Sequence, residues 1–406
     1  MKKKLALLAC SFALFTTGAI EKSAQAAPAQ KDWTFLVYLN GNNNLDSFGA
    51  MNINQMEQVG STDKVNVVVQ WASLRNKKTQ RLFIQKDNDT KKVTSPVVQD
   101  LGKVDMGDYR SLVEFVRWAA DNYPAKHFFI NVWDHGSGWH AISAQIAREN
   151  GTFHPTDISW DDNTGNSIST AQLGQAMSEA ARIIGHKVDV YASDACLMAM
   201  AEVAGEMRDS VRVYAGSQEL EPGAGWPYQN LLAKWNALPE ASATDVGKIL
   251  TNEYVASYNG GVNGRDEVTF SAYDLDQSDK FYRAVSELGR TMKTLDAPSR
   301  KAIVAAASKA QIFTYEDYND LIDFVDLVEK SEVASVAKGA LTGMRSAIDT
   351  YVIANATTKK YARAHGVSIW LPHDMSTFNS YSNLYSTLRF QKDTGWADAV
   401  QYVLQQ

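Results

Sequence analysis

Two cysteines, Cys10 and Cys196, occur in 406 residues. Only Cys196 lies beyond the N-terminal apolar stretch, so a chain that loses that stretch has no partner for an internal disulfide. No C-x-x-C or H-x-x-x-H spacing occurs among the cysteines and seven histidines, which argues against a zinc site. No basic stripe runs along the chain, and Lys+Arg is 40 against Asp+Glu 46, so nucleic acid is not an expected partner. No G-x-S-x-G pentapeptide is present, which sets aside an α/β serine hydrolase even though His135-Gly136-Ser137-Gly138 looks like the oxyanion loop of that class. Apolar residues at 45% and charged residues at 21% exclude a disordered or fibrous chain. The length allows two or three domains, or one large domain with an appendage.

The first 26 residues read as a secretory signal peptide. Lys2, Lys3 and Lys4 precede an apolar run from Leu5 to Ile20, and Ala24-Gln25-Ala26 supplies a small-x-small cleavage site. The run gives way to polar residues too soon for a stable membrane span. Leu7-Leu8-Ala9-Cys10 loosely resembles a lipoprotein box, but the apolar run before Cys10 is short and continues past it. The expectation is therefore an exported protein, periplasmic or secreted, with no membrane attachment after cleavage near Ala26. Length is sufficient for a full core, so the expected state is a monomer.

Apolar β-rich runs alternate with helical spacing from Lys31 to Trp235. Strands are predicted at Trp33–Leu39, Val65–Trp71, Arg81–Gln85, His127–Trp133, Lys187–Ala192 and Val211–Ser217. Helices are predicted at Leu45–Val59, Tyr109–Ala120, Ser169–Ile184 and Leu197–Arg208. Gly136–Asn166 is polar and reads as a loop. This alternation indicates an α/β domain with a mostly parallel sheet. Beyond it, Ser242–Ser257, Ser278–Leu295, Tyr318–Val333 and Ser335–Tyr351 read as helices, and Glu267–Tyr273 and Val367–Leu371 as strands. The expected organisation is a signal peptide to residue 26, a catalytic domain over 27–240, and a C-terminal α/β region over 241–406 that packs on or extends it.

Two strand ends carry the chemistry. His127–Trp133 runs into Asp134-His135-Gly136-Ser137-Gly138-Trp139, and Lys187–Ala192 into Ser193-Asp194-Ala195-Cys196. Functional groups of open parallel sheets collect beyond the carboxyl ends of the strands. A Cys–His pair suffices for thiol nucleophilic catalysis, the imidazole activating the thiolate. Cys196 stands directly before the predicted helix Leu197–Arg208, and a helix N-terminus lowers a thiol pKa. The Gly136 N–H, together with that of Cys196, is a natural oxyanion donor.

DHGSGW at Asp134–Trp139 and SDACLMAMAEVA at Ser193–Ala204 resemble the clostripain family of cysteine peptidases, in the caspase-like group. Looser matches are WTFLVYLNGNNNLD at Trp33–Asp46, GSQELEPGAGWPY at Gly216–Tyr228 and HGVSIWLP at His365–Pro372, so the resemblance spans almost the whole mature chain. It implies a caspase/gingipain-like fold and endopeptidase activity on protein or peptide substrates with Arg, or also Lys, at P1. By the motif match Cys196 is the nucleophile, His135 the general acid/base, and Asp194 the acid of the P1 pocket. A carboxylate there suits a guanidinium. Taken alone, Asp194 also fits a helix N-cap. Glu219 and Glu221 lie in the segment resembling the substrate loop and either add charge to the pocket or sit on the surface.

The family resemblance also implies a zymogen cut after the catalytic His. Arg148 is the only Lys or Arg between His135 and Arg182, which makes it the candidate for self-cleavage. Asp157, Asp161, Asp162 and Asn163 form an acidic loop that could donate oxygens to calcium, although its spacing is not that of an EF-hand. No cofactor is required by the dyad. Rival readings are an exported binding module on the same fold, and a caspase-like peptidase with another P1 preference such as Asp or Asn, of which the acidic one would be repelled by a carboxylate at Asp194.

Overall fold

The computed structural model describes residues 29–140, 157–238 and 240–405. The predicted signal peptide and Arg148 lie outside them. In chain order the strands are β1 (Lys31–Gly41), β2 (Val65–Ser73), β3 (Lys78–Phe83), β4 (Val97–Gly102), β5 (Ala125–Trp133), β6 (Ile158–Asp161), β7 (Asn166–Ile168), β8 (Val188–Asp194), β9 (Val211–Gly216), β10 (Asn259–Gly261), β11 (Gly264–Arg265), β12 (Thr269–Asp274), β13 (Tyr318–Asp320), β14 (Val352–Thr357) and β15 (Ser368–Trp370).

Strand β1 shows why the central runs are apolar throughout. Phe35, Val37 and Leu39 enter one buried layer, while Leu36 and Tyr38 enter the other. A strand covered on both faces has no polar side to present, so its sequence does not alternate. Strands β2, β5, β8 and β9 share this property, and the five run parallel in the order β2-β1-β5-β8-β9. One face is covered by the helices Tyr109–Asn122 and Thr170–Ile184. The other carries Tyr228–Asn236 and Ala243–Tyr258. Of the two residues that could cap this helix from the sequence, Ser169 and Thr170, Ser169 does so, through a capping box with Gln172.

The sheet has nine strands, and its margins are antiparallel. β3 and β4 extend it beyond β2, and β12 and β14 beyond β9. Neither β4 nor β14 is legible in the sequence, because edge strands are only half covered and lose the apolar run. Ring stacking carries the sheet into the C-terminal region. Tyr191 on β8, Tyr214 on β9, Tyr273 on β12 and Tyr351 stack with centroids 5.6, 5.5 and 5.0 Å apart, and Phe281 caps the row at 4.4 Å.

Three predicted elements differ from the structure. Tyr318–Val333 is not one helix, because Tyr318–Asp320 pairs with β15 and the Asp320 carboxylate then accepts the N–H groups of Ile322 and Asp323, starting a helix at Leu321–Glu329. The segment read as a loop from Gly136 to Asn166 contains β6 and the first residue of β7, and these two strands pair with each other. The third difference is beside the nucleophile and bears on its chemistry.

Candidate active site

Register places the two candidate residues. Trp133 on β5 is paired with Asp194 on β8, and the Asp134 N–H donates to the Asp194 carbonyl at 3.2 Å. His135 and Cys196 each stand two residues past that pair, at the carboxyl ends of adjacent parallel strands. They are thereby brought to the same level of the sheet. Gly136 lies directly against the Cys196 backbone, since a Cβ built there would be 2.6 Å from the Cys196 carbonyl oxygen and 3.0 Å from Met198 Sδ. Gly136 bridges Ile158, but the two bonds of that bridge, Ser137 N–H to Asp157 and Ser159 N–H to His135, flank the Gly136 N–H rather than use it.

The close approach makes Gly136→Ala informative. The added methyl meets backbone on one side, and overpacking of this kind costs about 1–3 kcal/mol. A shift of about 1 Å between dyad members is enough to lose roughly 100-fold in rate. The expected result is a lower melting temperature and a kcat/KM loss of that order, read by thermal unfolding and peptide turnover on the same preparation.

No helix begins at Cys196. Leu197 adopts a left-handed backbone with φ of 63°, and the helix that follows is the short Ala201–Glu206. The segment 197–200 is held instead by backbone far away in the chain. The Leu197 and Ala199 N–H groups donate to Glu219 and Ser217 carbonyls, and Ala199 in turn accepts from Ser368 N–H. The expected helix-dipole assistance to the thiol is therefore absent. Burial, followed by the nearby carboxylates, pushes the Cys196 thiol up to about 12. The Glu221 N–H donates to Cys196 Sγ at 3.2 Å, so the substrate-like loop lies across the sulfur in this conformation.

Asp194 closes β8 and is buried rather than capping a helix. Its carboxylate accepts from Tyr228 OH at 2.6 Å and from Trp226 N–H at 3.3 Å. Asn131 on β5 holds the arrangement by donating to Tyr228 oxygen at 2.9 Å and accepting from Asp194 N–H at 3.2 Å. Gly225, with φ of 64°, brings the loop so close that a Cβ would sit 3.0 Å from both Asp194 carboxylate oxygens.

Glu221 is a second buried acid, beside Asp194. Both of its carboxyl oxygens are buried without a well-formed hydrogen bond, as is the Trp226 indole nitrogen. Burial first, and the neighbouring Asp194 charge second, hold Glu221 far above the ordinary carboxylate range. Burial also raises Asp194. Two carboxyls in one dry site cannot both ionise without a cation.

Glu219 does a different job from its neighbour. One carboxylate oxygen accepts from Thr314 Oγ1 and the Leu220 N–H, and the other from Tyr361 OH at 2.8 Å. It ties the loop to the C-terminal region instead of facing Asp194. The Thr269 hydroxyl accepts the N–H groups of Gln218 and Glu219, and Gln218 donates to Asp320. Residues beyond 240 thus set the height of the loop over Cys196.

The carboxylates of the acidic loop are engaged by protein donors. Asp157 accepts from Thr170 N–H, and Asp161 from Asn42 Nδ2 and the N–H groups of Met106 and Asn163. Asp162 accepts from the Trp160 indole. These carboxylates serve protein donors, and among the described residues no group of three or more His, Cys, Asp or Glu is placed to hold a metal.

Sequence reasoning missed Asn131, Tyr228 and Asn44. Asn131 had a signal, being the one amide inside the buried run HFFINVW. Tyr228 ends the segment GSQELEPGAGWPY without a distinguishing pattern. Asn44 belongs to the NGNNN cluster, read only as a turn, yet its Oδ1 lies 2.6 Å from His135 Nε2.

A family model described as the clostripain family matches residues 37–402. Clostripain from Hathewaya histolytica is 28% identical over 211 residues, covering 46% of this chain and 39% of that protein, so the match spans well under half of that relative. A secreted C11 cysteine protease from Bacteroides thetaiotaomicron, solved with an irreversible peptide inhibitor, is similar with a TM-score of 0.68 at 19% identity over 92% of this chain and 99% of that one. An inactive zymogen C11 protease from Parabacteroides distasonis gives 0.65 at 20% identity over 90% and 99%. These two likenesses establish the fold. With the family model matched over most of its length, the chain belongs to the clostripain family.

Proposed function

We propose that this clostripain-family chain is an exported cysteine endopeptidase that cleaves after Arg or Lys, with Cys196 as nucleophile and His135 as general acid/base. The observation that carries the P1 preference is the buried Asp194–Glu221 carboxyl pair, which lies beside Cys196 and whose Glu221 oxygens have no well-formed hydrogen bond among the described residues. A guanidinium or ammonium entering this site would let both carboxyls ionise and accept charged hydrogen bonds. The same cation offsets the carboxylate charges that disfavour the thiolate. Substrate therefore helps to activate its own nucleophile.

In the reaction, the imidazole takes the thiol proton and the thiolate attacks the carbonyl carbon. The resulting oxyanion sits toward the Gly136 and Cys196 N–H groups. The imidazolium returns the proton to the departing amine, leaving a thioester on Cys196. Water, deprotonated by the same imidazole, then releases the acid and restores the thiol. Export rests on the signal-peptide pattern of residues 1–26, and self-cleavage after Arg148 follows if the enzyme acts on its own loop.

The test is turnover of fluorogenic peptides that differ only at P1 (Arg, Lys, Asp, Asn), with the chain termini of each preparation mapped by mass spectrometry. Hydrolysis of Arg and Lys peptides with none of the acidic one supports the reading. Turnover confined to Asp or Asn overturns the pocket assignment. Inactivity of a preparation cut after Arg148, and of an intact one, favours a binding module.

A further inference from the structure

Three strand ends, not two, meet at the reacting histidine. β5 is flanked by β8 on one side and β1 on the other, and Trp133 is in register with both Asp194 and Leu39. The turn that leaves β1 carries Asn44, whose carboxamide oxygen lies 2.6 Å from His135 Nε2. The turn is cross-bonded to the histidine strand one residue earlier in each chain segment. Asn43 Nδ2 donates to Asp134 Oδ1 at 2.6 Å, and Asn40 Nδ2 to Asp134 Oδ2 at 2.9 Å. Both amides also donate to the Trp160 carbonyl, at 2.8 and 2.9 Å. Asn43 Oδ1 in turn accepts the Leu45 N–H at 2.9 Å, and Asn40 Oδ1 the Asn42 N–H at 3.0 Å. The asparagine cluster therefore fixes the backbone on both sides of the Asn44–His135 contact.

We propose that Asn44 is a positioning residue for the dyad: it accepts the Nε2 proton of His135, which leaves Nδ1 to take and return the Cys196 proton. A neutral imidazole has one N–H and one lone pair, and the partner of one nitrogen decides the role of the other. A carboxamide oxygen can only accept, so it selects the tautomer protonated at Nε2. Being uncharged, it orients the ring without the strong upward pull that a carboxylate would exert on the imidazolium. The inference rests on the peptidase reading for its kinetic consequence, but the tautomer itself does not.

Two variants and one spectrum test it. Asn44→Ala should lower kcat on the order of 10- to 100-fold with KM nearly unchanged, the size expected of a misaligned catalytic group. Asn44→Asp should keep the ring oriented and move the His135 limb of the pH–rate profile upward, because a carboxylate favours the imidazolium. Long-range 15N–1H spectra of His135 read the tautomer without turnover, and should show the Nε2–H form in wild type and a mixed or Nδ1–H form in Asn44→Ala. A wild-type spectrum with the proton on Nδ1 overturns the inference. So does an Asn44→Ala enzyme that keeps its kcat within twofold, or one whose activity falls only as its folded fraction falls while Asn44→Asp leaves the profile unmoved. A wild type that shows the Nε2–H form yet cleaves no peptide would instead remove the peptidase reading and leave the Asn44 contact standing.

Discussion

Cys196→Ala should abolish peptide hydrolysis, with kcat falling by at least ~10⁴-fold, while binding of an Arg-P1 peptide survives. The chain holds no second thiol outside Cys10, so no other side chain can form the thioester. Binding survives because the carboxyl pair is untouched and the alanine removes only the sulfur under the Glu221 N–H. The thiol's own environment sharpens the expectation. With the group pushed up to about 12, the resting enzyme holds little thiolate at neutral pH. Alkylation of Cys196 by a small neutral reagent should then be slow in the free enzyme and should accelerate when a guanidinium compound fills the pocket. Alkylation at the same rate with and without the guanidinium would show that the pocket charge and the thiol are not coupled. Retention of turnover in Cys196→Ala would remove the nucleophile assignment outright.

Asp194→Asn should cost about 10²- to 10³-fold in kcat/KM on Arg-P1 peptides, which corresponds to the 2–5 kcal/mol typical of losing one side of a buried charge pair. The amide is nearly isosteric, and its oxygen can still accept from Trp226 N–H or Tyr228 OH, so the loop should keep its place. Peptides with an uncharged P1 should lose far less. The pH profile carries the sign. In wild type the two carboxyls titrate above the ordinary carboxylate range because they are buried together. Activity on a cationic P1 should therefore decline on acidification at a higher pH than a normal Asp would give, and protons should be released on binding. In Asp194→Asn one source of the Glu221 rise is gone, so the acid limb should move down.

Stability should respond in the opposite sense to activity. A carboxyl whose folded pKa is raised contributes stability that is present below its unfolded pKa and lost as pH rises through the folded value. Wild type should therefore lose stability as the Asp194–Glu221 pair is forced to ionise, and Asp194→Asn should lose less. Melting temperatures recorded across the acid-to-neutral range check this directly. A variant that melts in parallel with wild type at every pH would mean that the pair is solvated.

Some of this was available from the residues themselves. The five central strands announced themselves because strands covered on both faces are mostly apolar without strict alternation, and WTFLVYL and HFFINVW have that character, each broken by one or two polar residues. His135 and Cys196 were legible because each follows such a run, where α/β sheets keep their reactive groups. Asp194 was found through the family motif, not through its chemistry.

What the sequence hid depends on distant partners. Leu197–Met200 has the composition of a helix, yet its N–H and C=O groups are taken by Ser217, Glu219 and Ser368, and a local pattern cannot register a partner 20 to 170 residues away. Glu219 and Glu221 are two positions apart in one loop and looked equivalent. Thr314 and Tyr361, both from the C-terminal region, claim the first and leave the second beside Asp194. Asn44 reads as turn filler until β1 is seen to lie next to β5. Residue type and strand periodicity thus determined which side chains are the candidates for the chemistry and at which edge of the sheet they stand. Only the tertiary structure decided which acid joins Asp194, what orients the imidazole and how the thiol is covered, because each of these is a contact between segments far apart in the chain.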